Sequence, residues 1–372
     1  MSKYLYDYFL PEKNLAKTPS IPRDFSKLFV YQTKEEKIIF DRFYNLDKYL
    51  PKNSFLVLNE TKVIPARVIL RKQSGGKVIA LFLVNQMEED NKVKIVVDRK
   101  IKVGEKLFFK GGDFVLVISQ EKNIFLVKFD FTKEKLFLLL EKQGKMPVPL
   151  YLKDIPLSNK KLKEKYQTVF FKKEKDNLAS VAAPTASLHF TNRVFKKLEQ
   201  KGIKRYFVNL YVGMGTFAPI TKENLKTKKL HEEYYQVEEK VWQKILEEKK
   251  SEKKLVAVGT TVVRTLEAEA EALHHIFEST SPPLKSGWFP KLLTQKQVSS
   301  LKKTDLFIFP PFNFQMIDIL LTNFHLPKSS LMMLVEGFLQ YKKAKKHLVE
   351  LYNIAIKNDF RFYSFGDAML IV

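Results

Sequence analysis

The hydrophobic period switches part-way along this chain, and the switch limits the fold more than any other feature. Between residues 55 and 129 short apolar runs follow one another with no long helix between them. Val63 to Arg71, Lys77 to Val84, Val93 to Asp98, Phe114 to Ser119 and Ile124 to Phe129 are rich in Val, Ile, Leu and Phe, with Gly75-Gly76, Gly104 and Gly111-Gly112 between them. Runs of that length broken by glycine turns predict antiparallel strands, and a series of them predicts a small closed barrel. From about residue 165 onward strands alternate with longer amphipathic helices, which predicts an α/β body.

Thr132 to Gln143 has helical spacing, with Leu136, Leu139 and Leu140 on one side and Gly144 as a stop. Thr191 is placed to cap a helix reaching Gln200, and Arg205 to Val212 is the next strand. Leu255 to Val258 leads through Gly259-Thr260-Thr261 into a helix from about Val262 to His274. Leu306 to Phe309 and Ile317 to Leu321 read as two further strands, and Ser329 or Ser330 is placed to cap the helix Leu331 to Leu339. A chain of 372 residues exceeds what one core usually holds. The expected architecture is a mixed-sheet α/β main domain of residues 1–60 and 151–372, with a smaller antiparallel β-barrel domain, residues 61–150, inserted into it.

Lys and Arg total 65 against 41 Asp and Glu, a net charge of +24 whose field attracts polyanions. Charge alone does not separate a nucleic-acid partner from plain Lys-rich usage, and the Lys-rich runs at 159–165, 226–229, 248–254 and 342–346 read as solvated faces. Cys is absent, which excludes disulfides, thiolate metal sites and a cysteine nucleophile. No apolar run approaches the roughly 18 residues that span a bilayer. Met1 to Leu10 has no signal-peptide pattern, so a soluble cytoplasmic protein is expected.

Four segments set small or polar residues at the end of an apolar strand, where α/β proteins bind ligands. The first, Ala182 to Thr191, holds Pro184, Thr185 and His189 just before a capped helix; an isolated His is more often structural than catalytic, but His titrates near neutral pH. The second, Gly213-Met214-Gly215-Thr216-Phe217, lets a backbone approach a ligand closely, although a tight turn explains it as well. The third, Val258-Gly259-Thr260-Thr261, leads to Arg264, which suits a carboxylate or an ordinary pair with Glu267 three residues on. The fourth, Leu320 to Ser330, sets Thr322, Asn323, Phe324 and His325 between a strand and a helix, where a core element would not need them. His231 and Glu233 would share one side of a strand, suited to proton transfer but too few to hold a metal.

At these segments the sequence resembles the S-adenosylmethionine:tRNA ribosyltransferase-isomerase family of queuosine biosynthesis. The resemblance runs nearly end to end, through Tyr6-Asp7-Tyr8, Pro22-Arg23-Asp24, Asn59-Glu60-Thr61-Lys62-Val63-Ile64-Pro65-Ala66-Arg67, Met146-Pro147, Tyr166-Gln167-Thr168-Val169, the four segments above, and Arg361 to Met369. It implies transfer of the ribosyl part of S-adenosylmethionine to 7-aminomethyl-7-deazaguanine at the wobble position of a tRNA with a queuosine-type anticodon. Epoxyqueuosine forms, and adenine and methionine leave. A sulfonium acidifies the adjacent C–H and is a good leaving group, so the expected needs are a base and charge stabilisation, without a metal.

On that reading His189, Glu233 and His325 are the proton-transfer candidates. Pro184, Thr185, Gly213, Gly215, Thr216, Thr260, Thr261, Arg264 and Asn323 hold the donor, and Arg23 and Arg67 meet RNA phosphates. The expected form is a monomer without membrane association. Ser187 stands where the family usually has Gly, and Pro310-Pro311-Phe312 replaces a Pro-Gly-Tyr-like turn, so that turn must differ locally. A non-catalytic RNA-binding protein would leave Asn323 to His325 and Thr260-Thr261 without purpose. A methyltransferase would carry its Gly-rich turn after its first strand, whereas the Gly-x-Gly here lies beyond the middle of the chain.

Overall fold

A computed structural model describes residues 6–88, 90–148, 155–172, 179–213, 220–280 and 301–372. The chain begins with the hairpin β1 (Lys27–Gln32) and β2 (Lys37–Arg42), then β3 (Ser54–Asn59). Six strands follow: β4 (Arg67–Lys72), β5 (Lys77–Glu88), β6 (Lys92–Val97), β7 (Lys106–Phe108), β8 (Phe114–Glu121) and β9 (Ile124–Lys128). They close into a barrel in the order β4-β5-β6-β9-β8-β7, sealed where Arg71 of β4 pairs with Phe108 of β7. Period-two alternation builds its core, with Val68, Leu70, Val78, Ala80, Phe82, Val93, Ile95, Val115, Val117 and Val127 pointing inward while Ile69 and Ile79 face out. Helix α1 (Lys133–Gln143) lays Leu136, Leu139 and Leu140 against this core, and Thr132 Oγ1 caps it by accepting the Lys135 N–H.

The remainder is α2 (Asn159–Lys165), α3 (Asn192–Gln200), β10 (Lys204–Tyr211), α4 (Lys222–Thr227), β11 (Lys229–Gln236), α5 (Glu239–Lys250), β12 (Lys254–Val258), α6 (Thr260–Thr280), β13 (Lys302–Leu306), β14 (Ile319–Asn323), α7 (Ser330–Tyr341), α8 (Leu348–Lys357) and β15 (Ala368–Ile371). Nine strands form one mixed sheet, β13-β11-β10-β3-β12-β14-β15-β1-β2. Its middle is parallel: β3 pairs with β10 and β12, and β12 with β14. Parallel strands covered on both faces read as unbroken apolar runs. In β3, Phe55 and Val57 enter the core under α5, α6, α7 and α8, while the intervening Leu56 and Leu58 enter the core on the opposite face with α3. Strand β12 repeats this with Leu255 and Ala257 against Val256 and Val258. Full burial of each such Leu, Val or Phe contributes about 1.5–3 kcal/mol.

Three local expectations are corrected. The strand expected at Leu306 to Phe309 lies earlier, at Lys302–Leu306, because it pairs antiparallel with β11 at the sheet edge, where polar side chains are tolerated; Phe307 and Ile308 instead enter the core as irregular chain. The strand expected at Ile317 begins at Ile319 and runs on through the polar Thr322 and Asn323. Ser329 stands at the N-cap of α7 without capping it, since its hydroxyl donates to Leu326 O at 2.8 Å.

Candidate active site

The parallel strands β3, β10, β12 and β14 all end on one edge of the sheet, and the segments leaving β10, β12 and β14 build a cleft there with Ala183 to Ala186. That is the place where α/β sheets bind ligands. The turn after β12 passes through Gly259 at φ 92°, a left-handed conformation that favours glycine. This turn brings Thr260 and Thr261, the first residues of α6, to the cleft wall. Thr261 Oγ1 is buried without a hydrogen-bond partner among the described residues.

Opposite stands the end of β14. Asn323 Nδ2 donates to Tyr363 O at 3.1 Å, and Asn323 Oδ1 is another buried atom left without a hydrogen-bond partner among the described residues. His325 is fixed by its main chain: its N–H donates to the Tyr352 hydroxyl at 3.0 Å, and the Tyr8 hydroxyl donates to its carbonyl at 2.5 Å. Its Nε2 shares a hydrogen with Thr322 Oγ1 at 3.0 Å. Burial pushes the His325 imidazole down to about 3, so the ring is neutral at physiological pH. Pro184 and Thr185, in the short 3-10 turn before α3, complete the wall with Ala186.

His189 does not line this cleft. It sits behind Asn323, its Nδ1 2.8 Å from Ser26 Oγ and its ring packed on Phe43 at 5.0 Å. Burial, and then the positive charge of Arg361, push it down to about 3, and its Nε2 is buried without a hydrogen-bond partner among the described residues.

A second, smaller cleft of about 350 Å³ adjoins the first across Leu331, which lines both. Glu233 and Arg264 lie here as a buried ion pair between Arg264 Nη1 and Glu233 Oε2. Glu233 Oε1 accepts the Gly213 N–H at 2.8 Å, and Arg264 Nε donates to Leu306 O at 3.2 Å. Arg264 Nη2 is buried with no hydrogen-bond partner among the described residues; a buried donor left unpaired costs about 1–3 kcal/mol. The helical pairing of Arg264 with Glu267 is absent. Glu267 instead accepts the N–H groups of Gln315 and Met316. His231 lines the same cleft as Glu233, although β11 is irregular between Lys229 and Glu233.

Gly213 needs its missing side chain, because a Cβ there would stand 2.8 Å from Nδ2 of the buried Asn85, which reaches over from the barrel strand β5. Gly215 and Thr216 lie outside the described residues. Arg23 and Arg67 are partly buried away from the cleft wall. Arg23 Nη1 donates to Gln167 O at 2.8 Å, Arg67 Nη2 donates to Val148 O at 3.2 Å, and burial lowers both guanidinium pKa values.

Sequence reasoning gave no role to Tyr363 and Ser364, yet both line the first cleft. Their loop is held by buried Asp367, which accepts the Arg361 N–H at 2.7 Å and the Lys27 N–H at 2.9 Å. Tyr363 itself takes φ 76°. Among the described residues no group of three or more His, Asp or Glu is placed to hold a metal ion, and no helix is long and apolar enough to cross a membrane.

Comparison with known proteins bears on this arrangement. The family profile described as queuosine biosynthesis protein matches residues 3–371. The chain is 40% identical over 367 residues, 98% of each chain, to S-adenosylmethionine:tRNA ribosyltransferase-isomerase of Thermosipho melanesiensis. It is 39% identical to the protein of the same name from Thermoanaerobacter sp., covering 100% of both chains. In structure it is similar to S-adenosylmethionine tRNA ribosyltransferase from Thermotoga maritima, with a TM-score of 0.52 at 30% identity over 100% of both chains. The cleft at the strand ends thus belongs to an enzyme of queuosine biosynthesis, and the chain belongs to the S-adenosylmethionine:tRNA ribosyltransferase-isomerase family.

Proposed function

We propose that this enzyme moves the ribosyl part of S-adenosylmethionine to 7-aminomethyl-7-deazaguanine at the wobble position of tRNA, giving epoxyqueuosine and releasing adenine and methionine. One observation carries the reading: Pro184-Thr185, Thr260-Thr261 and Asn323 to His325, three of the segments whose chemistry the core does not need, line a single cleft. The donor lies there, held by Pro184, Thr185, Thr260, Thr261 and Asn323, with Gly213, Gly215, Thr216 and Arg264 beside it. The sulfonium makes its neighbouring C–H acidic, so the reaction needs a base beside it. His325 is the foremost proton-transfer group because it lines the cleft. His189, behind the cleft wall, and Glu233, in the adjoining cleft, are the other proton-transfer groups.

Arg23 and Arg67 offer their remaining N–H groups to tRNA phosphates. The +24 net charge of the chain supplies the attracting field. The enzyme acts in the cytoplasm as a monomer, without a metal. Residues 61–150 form a unit inserted between 1–60 and 151–372, a division supported by the closure of β4 to β9 on themselves. The test is incubation with S-adenosylmethionine and tRNA carrying the deazaguanine precursor, followed by mass analysis of the nucleosides. Epoxyqueuosine with released adenine is the expected result. A methylated nucleoside, or no adenine, overturns the proposal.

A further inference from the structure

We infer that Phe25, Tyr44 and Arg193 form a platform outside the reaction site on which an unpaired base of the RNA substrate stacks. The inference rests on the function proposed above and adds a surface that holds the RNA. The platform stands on the rim of the large sheet where the first cleft opens. Asn323 of β14 partners Ala368 of β15, Ala368 partners Leu28 of β1, and Leu28 partners Asp41 of β2. Three strand spacings therefore set the end of β2 about 14 Å from Asn323. Phe25 lies just before β1, Tyr44 just after β2, and Arg193 in the first turn of α3, a short way along the chain from the cleft wall at Thr185 and Ala186. At the roughly 3.4 Å rise of a stacked strand, about four nucleotides cover that distance.

The platform is fixed from beneath and open above. Asp24 is buried, and its Oδ2 accepts from Arg193 Nε at 3.0 Å, stands 2.9 Å from Arg193 Nη2 and accepts the Thr191 hydroxyl at 2.7 Å. That clamp orients the guanidinium, whose carbon lies 5.4 Å from the centre of the Phe25 ring and 5.1 Å from that of Tyr44. The two rings are themselves 5.3 Å apart. Even so, Phe25 is 42% exposed and the Arg193 side chain 49%. A ring and a planar cation already held in place lose little freedom when a base stacks on them, and any base offers the π-face they need.

Charge selects RNA over an apolar protein segment as the occupant. Arg42 and Lys196 are exposed beside the rings, and Arg42 Nη1 donates to Phe25 O at 2.8 Å. Of the acids nearby, Asp24 is paired with Arg193, Asp47 stands 3.6 Å from Lys197, and Asp41 accepts from Tyr49 and Asn45. An apolar segment would cover Phe25 and leave the cations unmatched. An RNA strand brings a base for the ring and phosphates for Arg42 and Lys196.

The probe is an RNA hairpin with the deazaguanine in its loop, and its binding to wild type, Phe25→Ala, Phe25→Trp and Arg193→Lys is measured by fluorescence anisotropy. Phe25→Ala should raise Kd by roughly 5- to 150-fold, the range that one stacked base carries. The slope of log affinity against log salt should stay as in wild type, because no phosphate contact is lost. Phe25→Trp should bind as wild type does, whereas Arg193→Lys, which keeps the charge and loses the plane, should bind more weakly. Abasic substitution along the loop should find one position that costs wild type as much as Phe25→Ala does and costs Phe25→Ala nothing further. The abasic series on wild type needs no variant to fold. An unchanged Kd in Phe25→Ala, or the same loss at every abasic position in both proteins, overturns the platform. So does a wild-type dimer that Phe25→Ala dissolves in sedimentation, which would make the ring a contact between two copies. Each of these leaves the proposed reaction standing, since adenine release reads it separately. If wild type does not bind the hairpin at all, the proposed function fails and takes the platform with it.

Discussion

Replacing Arg264 with Met would leave the Glu233 carboxylate buried without its cation, and the structure sets the size of the loss. The two side chains are 6% and 2% exposed, so water cannot take over the role of the missing guanidinium. Breaking one side of such a pair costs about 3–5 kcal/mol, most of it the penalty of the stranded charge. Losing the bond from Arg264 Nε to Leu306 O adds about 1 kcal/mol. In the double variant Arg264→Met with Glu233→Gln there is no stranded charge, and the Gln carbonyl still accepts the Gly213 N–H. Its loss should therefore be only about 1–2 kcal/mol, well below that of Arg264→Met alone, so the single losses do not add in a double-mutant cycle. Urea unfolding followed by Trp242 fluorescence is the assay, because Trp242 is fully buried in the main core; a Trp288→Phe background removes the second tryptophan. A single variant within about 1 kcal/mol of wild type, or losses that simply add, would refute the reasoning.

His325→Ala should lower kcat by about 10²–10⁴-fold with an unchanged circular dichroism spectrum. The fold should survive because the bonds to Tyr8 and Tyr352 use the His325 main chain, and wild-type turnover would remove its assigned role. Glu267 is pushed up from 4.5 to about 7 by burial, which outweighs its main-chain N–H donors. Its protonated form therefore favours the fold, and that contribution is full below about pH 4.5 and lost as pH rises through about 7. Between those limits wild type should lose about 2–3 kcal/mol relative to Glu267→Gln, measured by urea unfolding across pH; parallel curves for the two proteins would contradict this. Gly366→Ala should destabilise by more than about 3 kcal/mol, because the new Cβ would stand 2.4 Å from the Arg361 carbonyl oxygen inside the loop that carries Tyr363. Unfolding at wild-type urea concentrations would show that the loop gives way.

The barrel was legible because period two persists through most of its strands and glycines mark its turns. Strand β7 escaped because three residues, Lys106 to Phe108, carry no period. The polar β13 escaped because its ordering comes from pairing with β11 and not from its own side chains. Two site segments were legible for a local reason: Asn323 and His325 in one, and Thr260 in the other, interrupt apolar runs where the core has no use for them. Tyr363 and Ser364 had no such signal. They reach the cleft through a loop held by Asp367, and no residue type announces the positive φ of Tyr363. The partner of Arg264 was equally hidden, since helical spacing offered Glu267 while the chain supplied Glu233 from another element.

The register of the large sheet also dictates an order of assembly. The barrel strands are consecutive in the chain and pair among themselves, so they can settle while synthesis continues. Strand β3 must wait: its neighbours are β10, where Phe55 meets Lys204, and β12, where Phe55 meets Leu255. The β1–β2 hairpin waits longer still, because β15 alone joins it to β14, with Leu28 opposite Ala368. The β1–β2 hairpin is therefore docked by β15, made after every other strand of the sheet, and until then its apolar Leu28, Phe29, Val30 and Tyr31 lack their native cover. For a nascent chain of this design, the interval before β15 emerges is when chaperone capture has most to protect.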